Sequence, residues 1–92
     1  MWSIFESDAA IKSVRKLQPE VVKKYELWKH IVRLSGPMGL RPIKGFHDEA
    51  LVGKWKGFRS SRLNERYRVL YRFERDEVTV YVIDVNAHDY RR

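Results

Sequence analysis

Seven cations and one acid fall within residues 54–72: Lys54, Lys56, Arg59, Arg62, Arg66, Arg68 and Arg72 against Glu65. Most of these cations are arginine, whose planar fork matches two phosphate oxygens at once. Trp55, Phe58, Tyr67 and Tyr71 are interleaved with them. That mixture suits single-stranded nucleic acid, because rings stack on bases while guanidinium groups pair with phosphates. His88, Asp89 and Tyr90 form a second group, capable of proton transfer. Histidine is the side chain most often used for acid–base work close to neutral pH, which makes His88 a candidate for it. Each group also has a plainer reading. An arginine-rich sheet face can serve solubility alone, and a histidine near a chain end is often a bystander. His47, beside Asp48 and Glu49, reads as an ordinary loop residue, and His30 as a surface residue of a helix.

The whole chain is basic. Nineteen Lys and Arg against twelve Asp and Glu give a net charge of +7 and a pI near 9.9. Such an excess points to a polyanion or an acidic protein partner. Residues 1–92 suffice for a single domain only, and 43% hydrophobic content with 13% aromatic residues excludes a disordered chain. There is no cysteine and only three scattered histidines, so no disulfide framework and no zinc site are expected. The spacing of Gly36 and Gly45 fits no nucleotide-phosphate loop, and no cofactor is expected. No apolar run approaches the roughly 20 residues of a membrane span, and MWSIFESDAA lacks the order of a signal peptide. A cytoplasmic protein without membrane contact is the expectation.

The elements that must position these groups can be read from periodicity. Residues 2–6 suit a short strand, and Ser7 or Asp8 can cap a helix over 8–17. Pro19 opens a second helix in which Val21, Tyr25, Trp28 and Val32 form one apolar stripe, closed by Gly36 and Pro37. Residues 37–53 read mostly as loop, followed by strands over 54–63, 66–73 and 78–85 with a turn at 74–77. The strand over 66–73 alternates, with Tyr67, Val69, Tyr71 and Phe73 on one face and Arg66, Arg68 and Arg72 on the other. The expected architecture is α+β, with two N-terminal helices packed on one face of a small antiparallel sheet. Tyr67, Val69, Tyr71, Phe73, Val14, Leu17, Tyr25, Trp28 and Val32 should be mostly buried. A tight turn would set Glu74 opposite Glu77, Ile83 opposite Arg68 and Val85 opposite Arg66, and would carry Asp89 toward Arg62.

The stretch GFRSSRLNERYRVLYRF, residues 57–73, resembles the central motif of the RelE/ParE superfamily of toxins. In that motif a Gly-aromatic pair leads into an Arg-hydrophobic-Asn strand and then into Arg-hydrophobic-hydrophobic-Tyr. The Ile43-Lys44-Gly45 loop and the closing His88-Asp89-Tyr90 are also similar to family features, and the resemblance spans essentially the whole chain. The YoeB and HigB branches are nearest in pattern.

The resemblance implies a RelE-like microbial RNase fold and the toxin of a type II toxin–antitoxin pair. Its activity would be that of a metal-independent endoribonuclease, an mRNA interferase that cuts messenger RNA in the ribosome and halts translation. It implies a catalytic arginine at Arg68 and a phosphate-contacting arginine at Arg62, with Asp89-Tyr90 at the place of a His-Tyr pair in YoeB-like enzymes. HigB-like chains end in Asp-Tyr-His, matched here at Asp89 and Tyr90, with Arg91 replacing the last residue. Arg41 stands where YoeB-like enzymes place a catalytic glutamate, so the general base is left between His88 and Asp89. Lys44, Lys54, Lys56 and Arg59 are expected to bind substrate or ribosomal RNA. The ribose 2′-OH would attack the adjacent phosphate, which calls for a base, a cation for the added phosphate charge and an acid for the leaving oxygen. The implied partner is a cognate antitoxin in a hetero-oligomer, whose acidic segment, a helix plus an extended arm, covers Arg59, Arg62 and Arg68 or displaces the C-terminal tail. Two other functions fit the same residues: a ParE-like inhibitor of DNA gyrase, and a nucleic-acid-binding module without catalysis.

Overall fold

The computed structural model describes residues 1–90; the HigB-type comparison at Arg91 lies outside the described residues. Strand β1 (Ser3–Glu6) leads into helix α1 (Asp8–Val14). The Ser7 hydroxyl accepts a hydrogen bond from the Ala10 N–H and donates to the Ile83 carbonyl, so one side chain caps α1 and ties it to the last strand. Helix α2 (Pro19–Ser35) carries Val21, Tyr25, Trp28 and Val32 on its buried face, as the stripe requires. It stops at Gly36, whose φ of 74° favours glycine, and a Cβ there would lie 2.6 Å from the Trp2 indole.

The segment read as loop holds more structure than its glycines and prolines suggest. Short 3-10 turns at Pro37–Leu40 and Lys44–Phe46 precede a two-residue strand, β2 (Glu49–Ala50). A further 3-10 turn at Gly53–Trp55 delays β3 to Arg59–Arg62, well inside the expected strand. Gly53 and Gly57 both adopt positive φ there, a conformation that breaks an extended run. Strands β4 (Arg68–Glu74) and β5 (Thr79–Asn86) complete a sheet of order β1-β5-β4-β3-β2.

The sheet is mixed, which corrects the antiparallel expectation. β1 runs parallel to β5, with Phe5 beside Tyr81, while the other pairs are antiparallel. The helical crossover between β1 and the rest of the chain is what permits a parallel neighbour.

Val69, Tyr71, Val80, Val82 and Val85 meet Tyr25, Trp28 and Val32 in the main core, with Tyr67, Phe73, Val14 and Leu17 half-buried at its margin. The opposite face is not the open arginine ladder that alternation suggested. Leu70 lies there in a second cluster with Leu51 and Tyr90, against Trp55, Phe58 and Ile83.

The register also departs from expectation. Glu74 faces Thr79, because the turn holds four residues rather than two. An irregularity at Leu70/Tyr71 then shifts pairing by one more residue: Leu70 faces Asp84 while Tyr71 faces Val82. Arg68 therefore lies opposite Asn86, not Ile83, and the regular pairing of β4 with β5 ends there.

Val78 closes this turn at φ 51°. A β-branched residue is strained in the left-handed region, at a cost of about 1–2 kcal/mol. Val78→Gly should remove that strain at a chain-entropy cost of about 0.5–1 kcal/mol. The expected result is a stability equal to or slightly above the parent's in urea unfolding. A loss of more than about 1 kcal/mol would mean that the half-exposed Val78 side chain contributes packing that outweighs its backbone strain.

Candidate active site

Arg62 and Arg68 face each other directly across β3 and β4. The hairpin that brings them together is closed by Asn64, whose side-chain Oδ1 accepts from the N–H groups of Arg66 and Tyr67 at 2.9 and 2.7 Å. Like charges directly opposite in a sheet repel, and neither guanidinium is well served by the protein. Arg68 is only 9% exposed, and its Nη1 reaches the Arg66 carbonyl at a long 3.4 Å. The Nε of Arg62 is buried with no hydrogen-bond partner among the described residues. A buried donor without an acceptor costs about 1–3 kcal/mol, so the pair suits an arriving anion that answers both groups.

Asn86 faces Arg68 from β5, so Arg62, Arg68 and Asn86 form one row across three strands, about 10 Å from end to end. Asn86 also anchors the segment that follows it, through Tyr90. Its Oδ1 accepts from the His88 N–H at 3.0 Å and from the Tyr90 hydroxyl at 3.2 Å. Its Nδ2 donates to the Asp84 carboxylate at 3.0 Å and to the Tyr90 oxygen at 2.9 Å. The Tyr90 ring packs edge-on to Trp55 at 5.0 Å, and the His88 ring lies 4.5 Å from it. Burial pushes the Tyr90 phenol above its ordinary pKa, so at neutral pH it is a proton donor and not a base. His88 and Asp89 are exposed beside it. A notch of about 200 Å³, lined by Leu17, Tyr67, Val85, Asn86 and Ala87, opens next to this row.

The remaining candidates are placed differently. Lys44, Lys54 and Lys56 are exposed on the 3-10 turns and their flanks. Arg59 is engaged: its Nε and Nη2 donate to Asp48 at 3.1 and 2.7 Å. Burial alone would lower the Arg59 pKa, but the bond to Asp48 and its charge outweigh that and hold it above the ordinary value. Asp48 is a feature that sequence reasoning missed. Its carboxylate, with no exposed surface, also accepts from Ser61 at 2.6 Å and Tyr71 at 2.5 Å, and Ser61 accepts from the Trp28 indole at 2.9 Å. Burial first, then the Asp48 charge, raises the Tyr71 phenol well above its usual range, so it remains a donor. The network joins α2, β3, β4 and the loop that carries Lys44. Two serines in the middle of a strand were the only hint of it.

Among the described residues no group of three or more His, Asp or Glu is arranged to hold a metal ion. No helix among the described residues is long and apolar enough to cross a membrane.

Two helices over one face of a sheet whose first strand lies parallel to its last define the RelE-like toxin fold. No family model matches the chain, and no curated protein matches it in sequence. Solved structures that match this fold include toxins named YafQ, YoeB and RelE. YafQ of E. coli superposes with a TM-score of 0.75 at 16% identity, over 96% of this chain and 94% of that one. YoeB in the YoeB–YefM complex of Staphylococcus aureus gives 0.75 at 20% identity, over 97% and 99%. The archaeal RelE–RelB complex of Pyrococcus horikoshii gives 0.74 at 16% identity, over 94% and 93%.

Proposed function

We propose that this chain is the toxin of a toxin–antitoxin pair and a ribosome-dependent endoribonuclease that works in the cytoplasm by cutting messenger RNA without a metal. The observation that carries the reading is the Arg62–Arg68 pair, two opposed cations with a buried, unanswered donor. A scissile phosphate answers both, and its charge increases as the 2′-OH attacks, when such groups act most strongly. Arg68 stabilises the phosphate and Arg62 orients it. His88 or Asp89 takes the 2′-proton, and Tyr90, kept protonated by burial, donates toward the phosphate or the leaving oxygen. Lys44, Lys54 and Lys56 extend the cationic surface to flanking RNA, while Arg59 serves as frame because Asp48 holds it. Structural likeness to toxins solved with YefM and RelB supports an antitoxin partner with an acidic segment, in a hetero-oligomer.

A translation extract supplied with one messenger RNA tests the reading. Cuts should map to codons, depend on ribosomes and persist in EDTA. A gyrase inhibitor would instead block supercoiling, and a binding module would retard RNA in a salt-dependent manner without cutting it. Within the same assay, His88→Ala, Asp89→Ala and Tyr90→Phe should divide the proton-transfer roles. At least one should slow cleavage by about 10²-fold or more. Parent rates in all three would move acid–base work away from the tail.

A further inference from the structure

Residues 83–85 break the alternation of β5. In a regular strand Ile83 and Val85 would share a face, yet Ile83 packs in the second cluster with Leu70 while Val85 lies in the main core. The change of face falls at Asp84, where the irregularity opposite Leu70 and Tyr71 inserts one extra residue. Helix α1 holds this place with both of its ends. The Ser7 hydroxyl donates to the Ile83 carbonyl at 2.5 Å, and the Ser13 hydroxyl donates to the Asp84 carboxylate at 3.2 Å. The same shift sets Asn86 opposite Arg68.

Asp84 then decides which way the Asn86 side chain faces. Its carboxylate accepts from the Val85 N–H at 2.8 Å and from the Asn86 Nδ2 at 3.0 Å. An ionised carboxylate only accepts, whereas an amide has a donating end and an accepting end of nearly equal size. Turned over, the amide would set its oxygen against the carboxylate and its NH2 group against the His88 N–H. The orientation in the structure instead points Oδ1 at the tail, where it accepts from the His88 N–H at 3.0 Å and the Tyr90 hydroxyl at 3.2 Å. Nδ2 can also donate to the Tyr90 oxygen at 2.9 Å, and in that arrangement the phenol proton is left for a substrate oxygen. We infer that Asp84 is a positioning residue of the candidate active site: by fixing the Asn86 amide it seats the Tyr90 hydroxyl and the His88 backbone beside Arg68. The inference deepens the proposed function and rests on it for any effect on cleavage, while the seating of the tail stands apart from it. Asp84 needs no contact with RNA for this role. A carboxylate two residues from the row repels a phosphate, so its removal should not weaken RNA binding. Acting only as a strut between α1 and β5, it would affect stability but not the rate of the folded, saturated protein.

The test uses the full chain on ribosomes programmed with one messenger RNA. Asp84→Ala should lower the limiting cleavage rate by about 10–10²-fold, the range that misplaced reacting groups cost. The protein concentration giving half the limiting rate should stay within about twofold of the parent's. Asp84→Asn keeps the shape of the side chain but can turn either end of its own amide toward Asn86. It should lose less than alanine, and it carries the test if the alanine variant does not fold. In an Asn86→Ala background neither change should lower the rate further, because the two residues act in series. Hydrogen exchange on the free protein, read by NMR, reports the seating itself. The His88 N–H should exchange about tenfold or more faster in both Asp84 variants than in the parent, while the core amide of Val80 keeps its protection. A parent limiting rate in both variants, a loss confined to half-saturation, a full further loss in the Asn86→Ala background, or unchanged His88 exchange would each overturn the inference. A parent chain that cuts no messenger RNA would refute the proposed function instead, and His88 exchange would still decide whether Asp84 seats the tail.

Discussion

Arg68→Ala is expected to reduce RNA cleavage by about 10²–10³-fold, equivalent to about 2.7–4 kcal/mol of transition-state stabilisation, and to abolish toxicity on expression. The physical setting makes this more than the loss of one cation. Arg68 is 9% exposed, opposite Arg62 and beside Asn86, so a phosphate bound there meets both guanidinium groups with little water between them. The same setting separates catalysis from folding. In the free protein Arg68 makes one long hydrogen bond and faces a like charge, so its removal should leave stability nearly unchanged or slightly raised. Arg68→Lys keeps the charge but loses the fork, and should recover only part of the rate. Two readouts decide the matter: codon-mapped cleavage and a urea unfolding curve. Parent-rate cleavage by Arg68→Ala would remove the residue from the mechanism. A lost activity accompanied by a large fall in stability would make it structural.

Asp48→Ala should have the largest effect on stability. The carboxylate accepts from Arg59, Ser61 and Tyr71 and has no exposed surface. Its removal strands a guanidinium that is only 15% exposed, together with two buried hydroxyl donors. Breaking a buried ion pair from one side costs about 3–5 kcal/mol, a large share of the roughly 5–15 kcal/mol that holds a domain folded. Asp48→Asn keeps an acceptor and should lose less. The urea midpoint should fall steeply for alanine, by less for asparagine, with the slope unchanged in both. Retention of the parent midpoint by Asp48→Ala would show that water replaces the carboxylate and that the network carries little of the stability.

Long, strongly patterned elements were legible in the sequence. Pro19 and Gly36 bracket α2 because one residue pre-sets helical φ and the other accepts a left-handed end. Val69 and Tyr71 face the helices because alternation admits no other arrangement. Features fixed by distant partners were not legible. Glu49–Ala50 is too short to show a period and becomes a strand only because β3 pairs with it. Asp48 looked like a loop acid because Arg59, Ser61 and Tyr71 converge on it only after folding. The site shows the same division. Arg62 and Arg68 belong to a cationic run legible from residue types, but it was the resemblance to the toxin motif that singled them out, and the hairpin sets them face to face. The partner of Arg68 on β5 was misjudged, because a four-residue turn and the irregularity at Leu70/Tyr71 shift the register without a mark in the hydrophobic pattern.

The pairing of β1 with β5 has a consequence for synthesis. Strand β1 has β5 as its neighbour, and the Ser7–Ile83 bond that ties the two regions joins residues 76 apart in sequence. Closure of so long a loop must precede any gain from the contacts it brings, which slows folding relative to a chain of local contacts. Until β5 has emerged, β1 has no neighbour in the sheet, and neither Asn86 nor the tail is available to complete the row at Arg68. A nascent chain therefore carries its arginines without the assembled row until β5 and the segment through Tyr90 have emerged.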